Sequence, residues 1–188
     1  MATAARVFAE QGFHATSMRD LAGATGMSLA GMYHYVSGKD ELLYQIQERC
    51  FSSVIRDAQT QICGASDPTE RLVRFIVHHV TYFAEHMSEM KVLSHEAESL
   101  APRHRSKIER LKRRYVDLLL KLIEETDTLA PPLDARVATY ALFGMMNWIY
   151  TWYDPAGAVT PNDLADQMAT LFLHGIQTAT PSSQSYGG

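Results

Sequence analysis

Four side chains within residues 29 to 34 have the chemistry needed to recognise the edges of DNA bases. Met32 and Val36 share one face of the predicted helix and are expected to be buried, whereas these four residues are expected to face outward. The four outward residues are Leu29, Ala30, Tyr33 and His34. An outward Leu-Ala pair is unusual on a solvent surface and suits contact with thymine methyl groups. A close approach of backbone to DNA would explain Gly31, which costs a helix roughly 1 kcal/mol relative to alanine.

Phosphate contacts are expected from residues that flank this helix. Tyr33, Tyr35 and Lys39 can reach the DNA backbone, as can the free N–H groups of the preceding helix behind Ser17. Arg19 and Ser28 complete the predicted set of DNA-binding residues.

The elements that must position these residues are two short helices joined by a tight turn, followed at once by a third helix at Lys39. Ser17 and Ser28 are predicted to cap the first two helices, since a serine oxygen can accept an unpaired backbone N–H. Gly26 lies where the first helix must end, and glycine adopts the required left-handed conformation at little cost. This order is typical of a helix-turn-helix DNA reader. An ordinary helical hairpin is the alternative.

Residues at fixed positions of this region match a known family. They are Phe8, Gly12-Phe13, Leu21-Ala22, Gly26-Met27-Ser28, Met32-Tyr33-His34-Tyr35, Lys39 and Leu42-Leu43. Over residues 3 to 45 the chain resembles the TetR family of bacterial repressors, although Val36 stands where the family usually has phenylalanine. The resemblance implies a homodimer that binds a palindromic operator in double-stranded DNA and a helical body that binds a small-molecule inducer.

The remainder of the chain is predicted to be helical, with proline-containing breaks and no strand-like alternation. Helices are expected at about 39–62, 68–87, 89–100, 103–126, 134–153 and 161–176. The predicted fold is all-α. It has a three-helix DNA-binding domain (1–45), a six-helix ligand-binding and dimerisation domain (46–177), and a disordered tail (178–188). A helical body of this size can bury a cavity.

Aromatic residues crowd into the helix predicted at 134–153. A helix that is apolar on every side is buried on more than one face, so one face can line a cavity while another meets a second copy of the chain. Helix 161–176 is expected to share that dimer interface. The alternative is that the cluster is plain hydrophobic core, as aromatic stripes usually are.

A second resemblance concerns the C-terminal part, roughly residues 90 to 176. It rests on Glu96, Leu100, Pro102, Ile108, Arg113-Arg114-Tyr115, Phe143-Gly144-Met145-Met146-Asn147-Trp148, Trp152-Tyr153, Gly157 and Leu164. These residues are similar to those of TetR-type regulators of fatty-acid and steroid degradation, which implies an acyl-CoA thioester as inducer. Thr151 and Asp154 stand where relatives often have arginine, so the broader expectation is a large, mostly apolar ligand. The predicted ligand-binding residues are Tyr82, Glu96, Arg110, Arg114, Tyr115, Phe143, Met146, Asn147, Trp148 and Trp152.

A basic run between residues 103 and 114 has two interpretations. It can bind the phosphates of CoA, or it can be an exposed helix face paired with nearby acids. The sequence does not distinguish between the two.

Composition narrows the function further. The net charge of −4 argues against a protein that coats nucleic acid without specificity. No apolar run approaches the length of a membrane span and no signal peptide is visible, so we expect no membrane association and a cytoplasmic location. Cys50 and Cys63 are expected to be reduced thiols. The histidines have no tight metal-ligand spacing, so no metal is predicted.

The sequence therefore predicts a ligand-responsive repressor with no cofactor other than its effector. Phosphate loops, nucleophile elbows and nucleotide-binding strand patterns are missing from the sequence, so an enzyme is not expected. Two rivals remain. One is a multidrug-type TetR regulator of an efflux gene, and the more distant one is a helical enzyme or carrier that acts on an acyl ligand.

Overall fold

The computed structural model describes residues 1–126 and 133–176. In this part of the chain all regular structure is helical, which confirms the all-α prediction. The helices are α1 (Ala2–Gln11), α2 (Met18–Thr25), α3 (Leu29–Tyr35), α4 (Lys39–Cys63), α5 (Pro68–Glu85), α6 (Met87–His95), α7 (Pro102–Glu125), α8 (Ala135–Asn147), a 3-10 turn (Trp148–Thr151) and α9 (Pro161–Ile176). The predicted tail and residue 177 lie outside the described residues.

The turn between α2 and α3 forms as the sequence predicts. Ser17 accepts a hydrogen bond from the Asp20 N–H at 3.2 Å, and the Asp20 carboxylate accepts the Ser17 N–H at 2.9 Å. Gly26 adopts the left-handed conformation, with φ at 68°. The Ser28 hydroxyl accepts the Gly31 N–H at 3.0 Å and so caps α3.

Two helices end earlier than the sequence predicts. α6 stops at His95, and the carboxylate of the next residue, Glu96, accepts the Phe13 N–H and the Ser99 hydroxyl. α8 stops at Asn147 and tightens into the 3-10 turn. This change of repeat buries Ile149 and leaves Trp148 60% exposed.

The body is organised around α4 and α5. α7 and α9 pack on these helices, and α8 packs on α7. The N-terminal helices are joined to the body mainly through α1, which packs against α6. One continuous apolar core runs from Phe8 and Leu21 in the first helices to Leu72 and Phe172 in the body. Among the described helices, none is both long and apolar enough to span a membrane.

Candidate DNA-reading surface and ligand cavity

The α3 helix presents its predicted face to solvent. Met32 and Val36 are buried, as expected. Tyr33 is 51% exposed and Tyr35 is 71% exposed, and Ala30 and His34 are exposed as well. Leu29 differs from the prediction, because it is half-buried and packs partly against the core.

The other predicted DNA-binding residues surround this face. Arg19 is exposed on α2, and the hydroxyls of Ser17 and Ser28 are used as helix caps. The Lys39 ammonium donates hydrogen bonds to the carbonyls of Phe13 (2.9 Å) and Thr16 (3.0 Å) and lies 4.6 Å from the centre of the Phe13 ring. These hydrogen bonds from Lys39 connect the start of α4 to the loop after α1. A contact between Lys39 and phosphate stays a prediction.

A cavity of about 250 Å³ lies between five helices of the body. It is lined by Phe51, His79, Phe83, Met90, Leu93, Ser94, Lys112, Tyr115, Val116, Tyr140, Phe143 and Asn147. The structure brings three predicted ligand residues together here: Tyr115, Phe143 and Asn147. A cavity with apolar walls and a few convergent polar groups is the usual form of a small-molecule site.

The polar centre of the cavity wall is a pair formed by His79 and Tyr115. The Nδ1 atom of His79 lies 3.0 Å from the Tyr115 hydroxyl, and the two rings are nearly parallel, with centres 5.8 Å apart. Phe75 and Phe143 pack against both rings. Burial lowers the pKa of His79 to about 3, so its ring is neutral at pH 7. Burial also raises the pKa of the Tyr115 hydroxyl well above its ordinary value.

A groove of about 630 Å³ adjoins the cavity between α7 and α8. Lys112, Val116 and Tyr140 line both the groove and the cavity. The groove adds Arg113 from α7 and Arg136 from α8, together with Glu109 and Asp117. Burial lowers the pKa of the Lys112 ammonium, and Glu109 partly opposes that shift. The groove thus places three cations beside the cavity.

The remaining predicted ligand residues do not line this cavity. Met146 is fully buried in the core, and Trp148 and Trp152 are 60% and 57% exposed. Tyr82 lines a separate polar groove beside His86 and Cys50. Their roles in ligand binding stay predictions.

The basic run on α7 is divided among several surroundings. Lys112 and Arg113 line the groove, whereas Arg110 is exposed and lines neither space. Arg114 lies on another side of the helix, where it donates to Gln59 at 3.4 Å. Arg105 donates to the carbonyl of Glu98.

A polar junction connects the N-terminal helices to the body, and Glu96 belongs to it. Glu96 accepts the Phe13 N–H at 3.0 Å through one carboxylate oxygen and the Ser99 hydroxyl at 2.7 Å through the other. Asp40 accepts the Ala101 N–H and faces Nδ1 of His104, both at 2.7 Å. We call Lys39, Asp40, Glu96 and His104, with their backbone partners, the junction.

His79 and Arg136 escaped the sequence analysis as ligand residues, whereas Lys112 and Arg113 were considered within the basic run as possible partners of the CoA phosphates. His79 was considered only as one of several histidines for a metal, and no cluster that could hold a metal ion occurs among the described residues. The feature that could have indicated a buried role for His79 is its position on the apolar face of α5, with Leu72, Phe75 and Phe83. Arg136 is brought to the groove only by the packing of α8 on α7, which no sequence pattern predicts.

Comparison with known proteins identifies the family. Residues 1–46 match the profile described as bacterial regulatory proteins, tetR family, and residues 65–176 match the tetracyclin repressor-like C-terminal domain. The chain belongs to the TetR family. This confirms the resemblance drawn from the helix-turn-helix, and membership in a family of transcriptional regulators means that the protein is a regulator and not an enzyme.

Individual relatives support the assignment along most of the chain. The transcriptional repressor KstR2 of Mycobacterium tuberculosis is 27% identical over 179 residues, which cover 92% of this chain and 88% of KstR2. The regulator PfmR of Thermus thermophilus superposes with a TM-score of 0.84 at 30% identity, covering 94% of this chain and 98% of PfmR. AibR, solved in complex with isovaleryl coenzyme A and operator DNA, has a TM-score of 0.80 at 29% identity, covering 90% of this chain and 94% of AibR.

Proposed function

We propose that this TetR-family repressor binds a palindromic operator as a homodimer and releases it when an acyl-CoA thioester from fatty-acid or steroid breakdown enters the body. The observation that carries the proposal is an apolar cavity and a charged groove that share Lys112, Val116 and Tyr140 in their walls. The acyl group suits the cavity, and the phosphates of CoA suit Lys112, Arg113 and Arg136, because charged hydrogen bonds to phosphate are among the strongest in proteins. Two relatives support this proposal. AibR was solved with isovaleryl coenzyme A and operator DNA, and KstR2 is a transcriptional repressor.

The dimer interface is proposed on α8, the 3-10 turn and α9. Large apolar side chains are exposed there on the single chain: Val137 (65%), Trp148 (60%), Trp152 (57%) and Leu171 (66%). Exposed apolar residues of this size in one region mark an interaction surface. A dimer places two reading helices about 34–36 Å apart, which is one turn of DNA.

Operator binding is tested by selecting genomic DNA fragments with the purified protein and sequencing them. A shared palindrome supports the proposal, and the absence of any enriched site at low salt contradicts it. Tyr33→Ala should weaken binding to the selected duplex about tenfold without lowering the melting temperature, because Tyr33 is exposed. Lys39→Ala is a poorer probe, since it also removes hydrogen bonds to the loop after α1.

Ligand binding is tested by calorimetry and by release of the labelled duplex. Isovaleryl-CoA or hexanoyl-CoA should bind and release DNA, whereas CoA or the free acid should be much weaker. The double variant Arg113→Ala/Arg136→Ala should weaken thioester binding tenfold or more. Arg103→Ala, which removes an exposed cation of α7 outside the groove, is the matched control. Response to assorted hydrophobic cations, with none to CoA thioesters, would favour a multidrug regulator instead.

A further inference from the structure

The cavity wall contains a buried polar atom with no partner in hydrogen-bonding geometry, the Nε2 atom of His79. The Asn147 side chain of the same wall interacts with this imidazole and partly opposes the fall in its pKa, but it does not meet the geometry of a hydrogen bond. In the described part of the chain the only other such side-chain atom is Oε1 of Gln47, which lies outside the cavity lining. Buried polar atoms in native proteins are nearly always hydrogen-bonded, and each exception needs an explanation. A ligand that pairs with Nε2 is such an explanation, because His79 belongs to the wall of the proposed ligand site.

The hydrogen bond to Tyr115 determines what Nε2 can offer. The Tyr115 hydroxyl keeps its proton and, among the described residues, has one hydrogen-bonding neighbour, the Nδ1 atom of His79. If the hydroxyl donates to Nδ1, all of its hydrogen-bonding capacity as a donor is used. A neutral imidazole has one N–H group, so its hydrogen then lies on Nε2. The opposite arrangement would leave the phenolic proton without an acceptor.

We propose that the acyl group of the inducer carries an oxygen atom, as a ketone or a hydroxyl, that accepts a hydrogen bond from Nε2–H of His79. This inference rests on the proposed function, since it specifies the acyl part of the CoA thioester. A neutral oxygen is the fitting partner, because the imidazole is uncharged and Phe83 and Phe143 line the same cavity. Lys112, the cation of the cavity wall, belongs also to the groove, where it faces Glu109.

The volume of the cavity limits the size of this acyl group. The cavity of about 250 Å³ lies near the lower end of small-molecule sites, which span roughly 300 to 1,000 Å³. A six-carbon ring or a short chain with one oxygen substituent fits this space.

The test compares CoA thioesters that differ only in this oxygen. Calorimetry on the full-length protein uses cyclohexanecarbonyl-CoA with its 3-oxo and 4-oxo derivatives, and hexanoyl-CoA with 5-oxohexanoyl-CoA. At least one oxo derivative should bind about tenfold more tightly than its parent, the effect of one buried hydrogen bond. His79→Phe should abolish this preference while the protein still binds the parent thioester.

His78→Phe is the matched control. His78 is the adjacent residue, but it lies outside the cavity lining, with its Nε2 atom 3.2 Å from the Val54 carbonyl, so the preference should persist in this variant. Equal affinity of wild-type protein for every oxo derivative and its parent would overturn the inference, even if His79→Phe fails to fold. A preference that survives in folded His79→Phe would overturn it too. Failure to bind any of these thioesters would instead contradict the proposed function.

Discussion

The junction and the cavity wall are both built from partly buried polar residues, but they differ in how completely those residues are paired. In the junction, Glu96 uses both carboxylate oxygens and Asp40 uses both of its own, on partners from different parts of the chain. In the cavity wall, His79 uses one ring nitrogen and leaves the other unpaired. The two carboxylates of the junction are thus fully paired within the chain, although the neighbouring Gln47, which donates to the Glu96 carbonyl, keeps its own Oε1 atom unpaired. In the cavity wall, the unpaired atom belongs to a residue that lines the proposed ligand site.

This difference separates residues that hold the helices in position from a residue, His79, that we propose binds a ligand. Side chains that bind backbone groups, as Lys39 and Asp40 do, hold one conformation of the loops they touch. A buried imidazole without a second partner costs stability. The molecule carries that cost where a ligand can remove it.

Replacement of Phe75 should have the largest effect, because it removes a fully buried ring that supports His79 and Tyr115 from behind the cavity lining. Phe75 is fully buried, with its ring centre 5.1 Å from that of Tyr115. Phe75→Ala should lower the free energy of unfolding by about 3 to 5 kcal/mol, as large-to-small changes in a core do. Urea denaturation measures this value. A loss below about 1 kcal/mol would show that the wall is not packed as described.

Asp40→Ala tests the junction in the same way. It leaves the Ala101 N–H and the buried His104 ring without their partner, so unfolding should become easier by about 2 to 3 kcal/mol. Asp40→Asn is the control, because its amide oxygen can still accept the Ala101 N–H and should restore about half of the loss. Equal losses in the two variants would mean that the Ala101 hydrogen bond does not contribute.

Acid should weaken the cavity wall through His79. The pKa of this ring falls from its ordinary value of 6.5 to about 3 on folding, so between these values the unfolded chain binds one more proton than the folded chain. The free energy of unfolding therefore decreases as the pH falls below about 6.5. Relative to His79→Phe, wild-type protein should lose about 2 kcal/mol between pH 7 and pH 5. Denaturation curves at the two pH values give this difference, and a constant difference would contradict it.

Glu96→Gln should have the smallest effect on the free energy of unfolding. It tests whether the charge of Glu96 or its hydrogen bond to Phe13 stabilises the junction. The glutamine oxygen can still accept the Phe13 N–H, so the loss in unfolding free energy should stay below about 1 kcal/mol. Glu96→Ala removes the acceptor and should cost more. If both variants lose the same amount, the charge of Glu96 and not its hydrogen bond is the source of stability.

The sequence predicts local structure well because local chemistry determines it. Ser17, Gly26 and Ser28 needed only their immediate neighbours to mark the turn, and each has the predicted role. Met32 and Val36 are buried because the helical repeat alone places them on one face. The family followed from the same residues.

The ligand residues were harder to predict because distant segments form the cavity. Tyr115 and Phe143 reach it, but the 3-10 turn after Asn147 moves Trp148 and Trp152 to the outside, and no sequence pattern signalled that turn. Glu96 resembled a ligand residue but contacts Phe13, which is far away in the sequence. His79 and Arg136 become informative only when α5, α7 and α8 are packed together.

The α4 helix connects the proposed ligand cavity to the N-terminal DNA-binding helices, so binding at one site can affect binding at the other. It carries Phe51 in the cavity wall and Lys39 in the junction, on one continuous helix of 25 residues. Along such an element, two binding events that prefer different positions of the helix are linked by a single coupling free energy. The linkage is reciprocal: under the proposed function, operator DNA weakens inducer binding by the same factor by which inducer weakens operator binding. An inducer affinity measured without DNA is therefore an upper limit for the repressor on its operator.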